Sequence, residues 1–113
     1  MADVKEIVDN IIKISNLAAI GNDFVKYRNL NMNDKYKHAM INCRAAQRGQ
    51  TGENLITDLS RLKEFYDVYL IKSNTLNESI KDSQANALGR SLGRLYKNGN
   101  CEEMVSKHIR RNY

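Results

Sequence analysis

Three segments of the chain carry polar and charged side chains three or four residues apart, the spacing that places side chains on one face of a helix. The segments hold Asp34 and His38, then Glu64 and Asp67, and then Asp82, Asn86 and Arg90. If the three faces meet inside one fold, they form a carboxylate-rich centre with one histidine and one arginine. Because buried charges are costly unless they are paired, such a centre requires a structural or a chemical explanation.

Two explanations remain open for this polar set. In the first, the side chains form a hydrogen-bonded network that fixes how the helices pack, for example with Arg90 on Glu64 or Asp67. In the second, His38 and Asp34 join the acids to hold a divalent cation or to perform acid–base chemistry. An enzyme would then use His38, Glu64 and Asp67. The Glu-x-x-His pair of di-iron bundles is absent. We favour the structural network, and with it a non-enzymatic protein to which we assign no metal, cofactor or catalytic residue.

The secondary-structure elements that must position these residues are all predicted to be helices. Apolar side chains recur at steps of three and four residues, no run alternates at a period of two, and the chain has 6 glycines and no proline. Helices are predicted over residues 3–29, 33–48, 51–72 and 75–98, with a short fifth helix from residue 100. We therefore predict an all-α fold, a four-helix bundle with a short C-terminal fifth helix, as a single domain over residues 1–113.

Capping residues mark several of these helix ends. Asp3 with Glu6, and Asn100 with Glu103, have the spacing of reciprocal N-terminal caps. Gly49 suits the left-handed position that closes the second helix.

The first helix carries a stripe of aliphatic side chains that includes Ile7, Ile11 and Ile14. This stripe either packs into the core or binds a protein partner, a second copy of the chain or a lipid surface. The step Gly21-Asn22 is a candidate position for a kink or an early end within this helix.

The chain carries a net charge of +5 and has a pI of about 9.3. Part of the excess lies in a basic segment over residues 94–113, which contains Arg94, Lys107, Arg110 and Arg111. A basic surface attracts anionic partners, such as an anionic lipid or an acidic protein. No nucleic-acid-binding motif accompanies these charges, so we do not expect sequence-specific binding of nucleic acid.

The two cysteines, Cys43 and Cys101, lack the CxxC spacing of a structural zinc site. They form either one disulfide that closes a long loop or two buried free thiols, and the residues favour neither state. The N-terminal segment lacks the uninterrupted apolar core of a signal peptide, and no apolar run reaches the length of a membrane span. The residues by themselves therefore assign no compartment.

Ordered polar motifs in the middle of the chain resemble the serum amyloid A family. They are NDKYKHA at 33–39 with AAQRG at 45–49, and DSQAN at 82–86 with Gly89-Arg90. The resemblance covers a core of about 32–90. A closer variant resembles the serum-amyloid-A-like modules at the C-terminal ends of bacterial secreted polymorphic toxins, with DKxxH at 34–38, KExxD at 63–67 and DxxANxxG at 82–89. Such modules often carry two cysteines near the histidine and two near the end, and this chain keeps one at each place, Cys43 and Cys101.

The resemblance implies a small helical bundle whose polar residues tie the helices together, in a secreted or effector-like setting. The animal proteins associate with lipid and form oligomers. Our leading prediction is a non-enzymatic binding module that uses Ile7, Ile11 and Ile14 on a protein partner, its own copies or lipid, with the basic segment adding attraction to anions. The alternatives are a secreted toxin or effector domain, for instance a metal-assisted hydrolase, and a small phage or host-directed inhibitor that acts through its basic surface.

Overall fold

The computed structural model describes residues 3–65 and 75–112, which form helices and contain no strand. The helices are α1 (Val4–Arg28), α2 (Asp34–Gln47), α3 (Gln50–Phe65), α4 (Leu76–Leu95) and α5 (Cys101–Ser106). The prediction of an all-α fold with four main helices and a short fifth is therefore confirmed. The predicted end of the third helix near residue 72 lies outside the described residues.

The caps read from the sequence are present at the helix ends. Asp3 Oδ1 accepts a hydrogen bond from the Glu6 amide at 2.8 Å, and Asn100 Oδ1 accepts one from the Glu103 amide at 3.1 Å. Gly49 takes the left-handed conformation after α2, with a φ of 99°. Helix α1 runs through Gly21 to Arg28, close to its predicted end at residue 29, without a stop at Gly21-Asn22. Helix α4 ends at Leu95, before its predicted end at residue 98.

Helix α2 lies at the centre of the fold and packs most closely against α4. A Cβ atom added at Gly89 would overlap the carbonyl oxygen of Ala39, and one added at Gly93 would overlap that of Cys43. Glycine at these two positions therefore lets the two backbones approach without an intervening side chain. The contacting pairs occur in the same order along both helices, so α2 and α4 run in the same direction.

The C-terminal part of the chain is fastened to α2 at three places. A disulfide joins Cys43 in α2 to Cys101 in α5 across 58 residues, which settles the choice between disulfide and free thiols. Gln47 Nε2 donates to the carbonyl oxygens of Tyr96 and Gly99 at 3.0 and 2.7 Å. At the other end of α2, the Asn33 amide donates to the Arg111 carbonyl at 2.9 Å.

The α2–α4 contact predicts that Gly89→Ala is destabilising. The added methyl group must displace a backbone carbonyl, and overpacking of this kind costs about 1–3 kcal/mol of unfolding free energy. Gly21→Ala is the matched control, because nothing lies within 4 Å of a Cβ there and alanine stabilises a helix interior by about 0.5–1 kcal/mol relative to glycine. Chemical denaturation of both variants measures the difference, and equal stability of the two would contradict the close approach.

The disulfide predicts a large effect of reductant on stability. A bridge that closes a 58-residue separation contributes about 4 kcal/mol to the unfolding free energy in the chain-entropy model. Denaturation with and without dithiothreitol measures this, and the double variant Cys43→Ala, Cys101→Ala should not respond to reductant. An unchanged midpoint for the wild-type protein would rule the contribution out.

Candidate functional site

The outward face of α1 is aliphatic and exposed to solvent. The side chains of Ile7, Ile11 and Ile14 are 49, 60 and 68% exposed, so the stripe is not part of the core in this chain. The exposed face follows a seven-residue pattern with apolar or small residues at its first and fourth positions. These residues are Val4, Ile7, Ile11, Ile14, Ala18, Gly21 and Val25, and we call them the α1 seam.

The opposite side of α1 attaches the helix to the protein. Ile20 and Tyr27 are each 1% exposed, and Ile20 lies roughly half a helical circumference from Ile11 at about 100° per residue. Arg44 Nε donates to Asp23 Oδ2 at 2.9 Å, and Arg48 Nε donates to Asn16 Oδ1 at 2.7 Å. Aromatic, aliphatic and polar contacts thus hold one face of α1 and leave the aliphatic seam on the other.

The second notable group is polar and lies between α2, α3 and α4. One potential ligand atom from each of His38, Glu64 and Asp82 lies within 4.8 Å of the other two, and His38 Nε2 is 3.7 Å from Asp82 Oδ1. We call these three residues the carboxylate–histidine cluster. Burial lowers the pKa of His38, while the negative charge of Asp82 acts in the opposite direction.

Lysine and serine side chains support this cluster. Lys35 Nζ forms ion pairs with Asp82 and, at 3.3 Å, with Glu78 Oε2. Burial acts to lower the pKa of Lys35, but its bonds to Asp82 and Glu78 outweigh burial and raise it. Ser79 Oγ donates to Glu64 Oε2 at 2.7 Å. Glu64 is only 8% exposed, and its Oε1 atom accepts no hydrogen bond among the described residues.

One helical turn further along, the polar contacts are between amides and a guanidinium. Asn42 Nδ2 donates to Asn86 Oδ1 at 2.9 Å and to the His38 carbonyl at 2.8 Å. Arg90 Nη1 donates to Asn42 Oδ1 at 3.2 Å. Arg90 therefore binds the amide on α2 and not Glu64, while its alternative partner Asp67 lies outside the described residues.

A cleft of about 500 Å³ opens beside the carboxylate–histidine cluster. Its walls are partly apolar, from Phe24, Val25 and Ile41, and partly polar, from Lys35, His38 and Asp82. Solvent and small solutes can therefore reach His38 and Asp82 from this side.

The remaining predicted site residues lie in separate places. Asp34 is exposed and lines the cleft, and Asp67 lies outside the described residues. Arg94 forms an ion pair with Glu53 at 2.5 Å. The basic residues near the C-terminus are exposed, and they are Lys107, Arg110 and Arg111.

Sequence reasoning did not select several residues that the structure places in these networks. Lys35 lies inside the family-like motif at 33–39, and Asn42 lies between that motif and the one at 45–49, so these positions were the available signal. Glu53 and Ser79 carry no comparable signal, because their partners come from other helices.

Residues 15–107 match a family model described as Serum amyloid A protein. This range covers most of the chain and includes both networks described above, together with the C-terminal half of α1. No curated protein and no solved structure matches the chain significantly. No helix among the described residues is long and apolar enough to cross a bilayer.

The amide network predicts a stability loss for Asn42→Ala. The substitution leaves the buried Asn86 amide and the Arg90 guanidinium without their shared partner, at a cost of about 1–3 kcal/mol of unfolding free energy. Asn10→Ala, at an exposed position of α1, is the control and should show no loss. Thermal and chemical denaturation measure both variants. Equal stability of the two would mean that the network contributes nothing to folding.

Proposed function

The chain belongs to the serum amyloid A family, and from this premise we propose that it is a non-enzymatic helical module that self-associates through the α1 seam. The observation that carries the proposal is the exposure of this seam along the whole of α1. An aliphatic surface of this extent on one helix is typical of a contact with another molecule.

The N-terminal half of α1 has little support from the rest of the chain. Every residue from 3 to 15 is exposed, and an isolated helix of about 12–15 residues is only marginally stable in water. A partner helix laid against Ile7, Ile11 and Ile14 would bury their exposed parts, which contributes roughly 1–2 kcal/mol for each aliphatic side chain. Self-association would therefore both stabilise α1 and remove its apolar surface from water.

The charges near the seam favour a second copy of the chain over an anionic membrane. Residues 3–15 contain three acids, Asp3, Glu6 and Asp9, and two lysines, so this half of α1 has no net attraction to an anionic bilayer. The positions that flank the seam in a coiled coil carry no charge, so two copies do not repel each other there. These positions are Val8, Asn10, Ser15, Leu17, Asn22 and Phe24.

The secreted setting belongs to the same proposal. The disulfide between Cys43 and Cys101 suits an oxidising environment outside the cytosol. The DKxxH and DxxANxxG motifs support a place as a C-terminal module of a secreted bacterial toxin, in which a self-associating domain would bring copies together. A neighbouring gene that encodes a secreted toxin, accompanied by a gene for its immunity protein, would support this setting.

Sedimentation velocity tests self-association directly. We expect the wild-type protein to sediment as a multimer of its 13.0-kDa chain, and Ile11→Lys, Ile14→Lys to sediment as a monomer because lysine cannot be buried in an apolar seam. The control Glu6→Gln, Asp9→Asn changes the net charge by the same amount outside the seam and should keep the wild-type assembly.

A monomeric wild-type protein at all concentrations would overturn the proposal. Flotation with vesicles of phosphatidylserine and phosphatidylcholine then tests whether the α1 seam binds lipid instead. Flotation of a monomeric wild-type protein, lost in the Ile11→Lys, Ile14→Lys variant, would assign the seam to lipid.

A further inference from the structure

We propose that His38, Glu64 and Asp82 bind a divalent transition-metal ion of the Zn²⁺ class. The three ligands come from α2, α3 and α4, so the ion would join the three helices at one point. This inference concerns the interior of the bundle and does not depend on the α1 seam.

The distances are close to those of a metal site. In a tetrahedral zinc site with bonds of about 2.1 Å, two ligand atoms are roughly 3.4 Å apart. His38 Nε2 and Asp82 Oδ1 are 3.7 Å apart, and all three ligand atoms lie within 4.8 Å of one another. A bound ion would therefore draw the three ligand atoms closer together than they are in its absence.

An unsatisfied buried oxygen points independently to a missing partner. Glu64 is 8% exposed, and its Oε1 atom is buried without a hydrogen bond from the described residues. Ser79 holds the other oxygen at 2.7 Å, which fixes the carboxylate in the manner of an outer-shell partner of a metal ligand. A cation bound at Oε1 would satisfy the atom for which the described residues supply no donor.

The space beside the cluster is about the size of one small ion or one water molecule. A small void of about 10 Å³ touches His38 and Glu64, and this volume is on the order of that needed by one water molecule. The larger cleft is lined by His38 and Asp82 and provides an entry path. Three protein ligands and one water make up the common four-coordinate arrangement of an open zinc site.

The ligand types select the class of ion. One imidazole nitrogen favours Zn²⁺ and similar ions over Ca²⁺ and Mg²⁺, which prefer oxygen ligands alone. Two carboxylates and an uncharged imidazole balance the charge of a divalent cation. Lys35 pairs with both Asp82 and Glu78, so it can remain bound to Glu78 while Asp82 turns to the ion.

Isothermal titration of the metal-free, disulfide-bonded protein with ZnCl₂ tests the site. We expect saturation at a single ion per chain and a higher unfolding temperature with Zn²⁺. His38→Gln and Glu64→Gln should each weaken binding by at least about 10-fold. The matched controls His108→Gln and Glu103→Gln alter exposed residues and should bind Zn²⁺ as the wild-type protein does.

A second measurement keeps the test decisive if the ligand variants unfold. Co²⁺ added to the wild-type protein should produce the visible absorption of a four-coordinate site, and Zn²⁺ should displace it. Absence of both Zn²⁺ binding and the Co²⁺ spectrum in the wild-type protein would overturn the proposal. Binding of Ca²⁺ or Mg²⁺ in preference to Zn²⁺ would overturn the assignment of the ion class, and unchanged Zn²⁺ affinity in folded His38→Gln would overturn the ligand set.

Discussion

The close contact between α2 and α4 is the constraint on which the rest of the structure depends. Gly89 and Gly93 allow the backbone of α4 to approach the carbonyl groups of Ala39 and Cys43. At this separation there is no room for large side chains between the two backbones, and small residues such as Ala46 fill part of the contact. The rest of the contact is a polar strip that contains Asn42 and Asn86, and its buried polar groups must satisfy one another.

The polar strip divides into two parts that differ in how completely their buried polar atoms are hydrogen-bonded. At the end near Arg90, Asn42 uses its amide nitrogen and its oxygen on neighbours from both helices, which is sufficient to explain that part as packing. At the other end, Glu64 retains a buried oxygen without a donor among the described residues. The two explanations offered by the polar spacing therefore apply to different ends of the strip, with a structural network at one end and a candidate ion site at the other.

Helix α1 shows why an aliphatic stripe does not by itself identify a core face. Its buried side includes Asn16, Ile20 and Tyr27 and receives arginine side chains from α2 and from the residue that caps its C-terminus. Its more aliphatic side faces solvent. An ordinary amphipathic helix has the reverse arrangement. The inversion is consistent with a helix that has two contact surfaces, one for its own chain and one for a partner.

Local chemistry in the sequence determined the helical class, the caps at Asp3 and Asn100 and the closing role of Gly49, because each depends on residues only a few positions apart. Spacing also predicted which polar residues share a helical face, such as Asp82, Asn86 and Arg90. Only the tertiary structure decided which residues meet across helices: that His38 lies beside Asp82, that Arg90 binds Asn42, that Cys43 and Cys101 are joined, and that Ile11 faces outward. These pairings depend on how far and at what angle helices approach one another, and that geometry is set by contacts between residues distant in the chain.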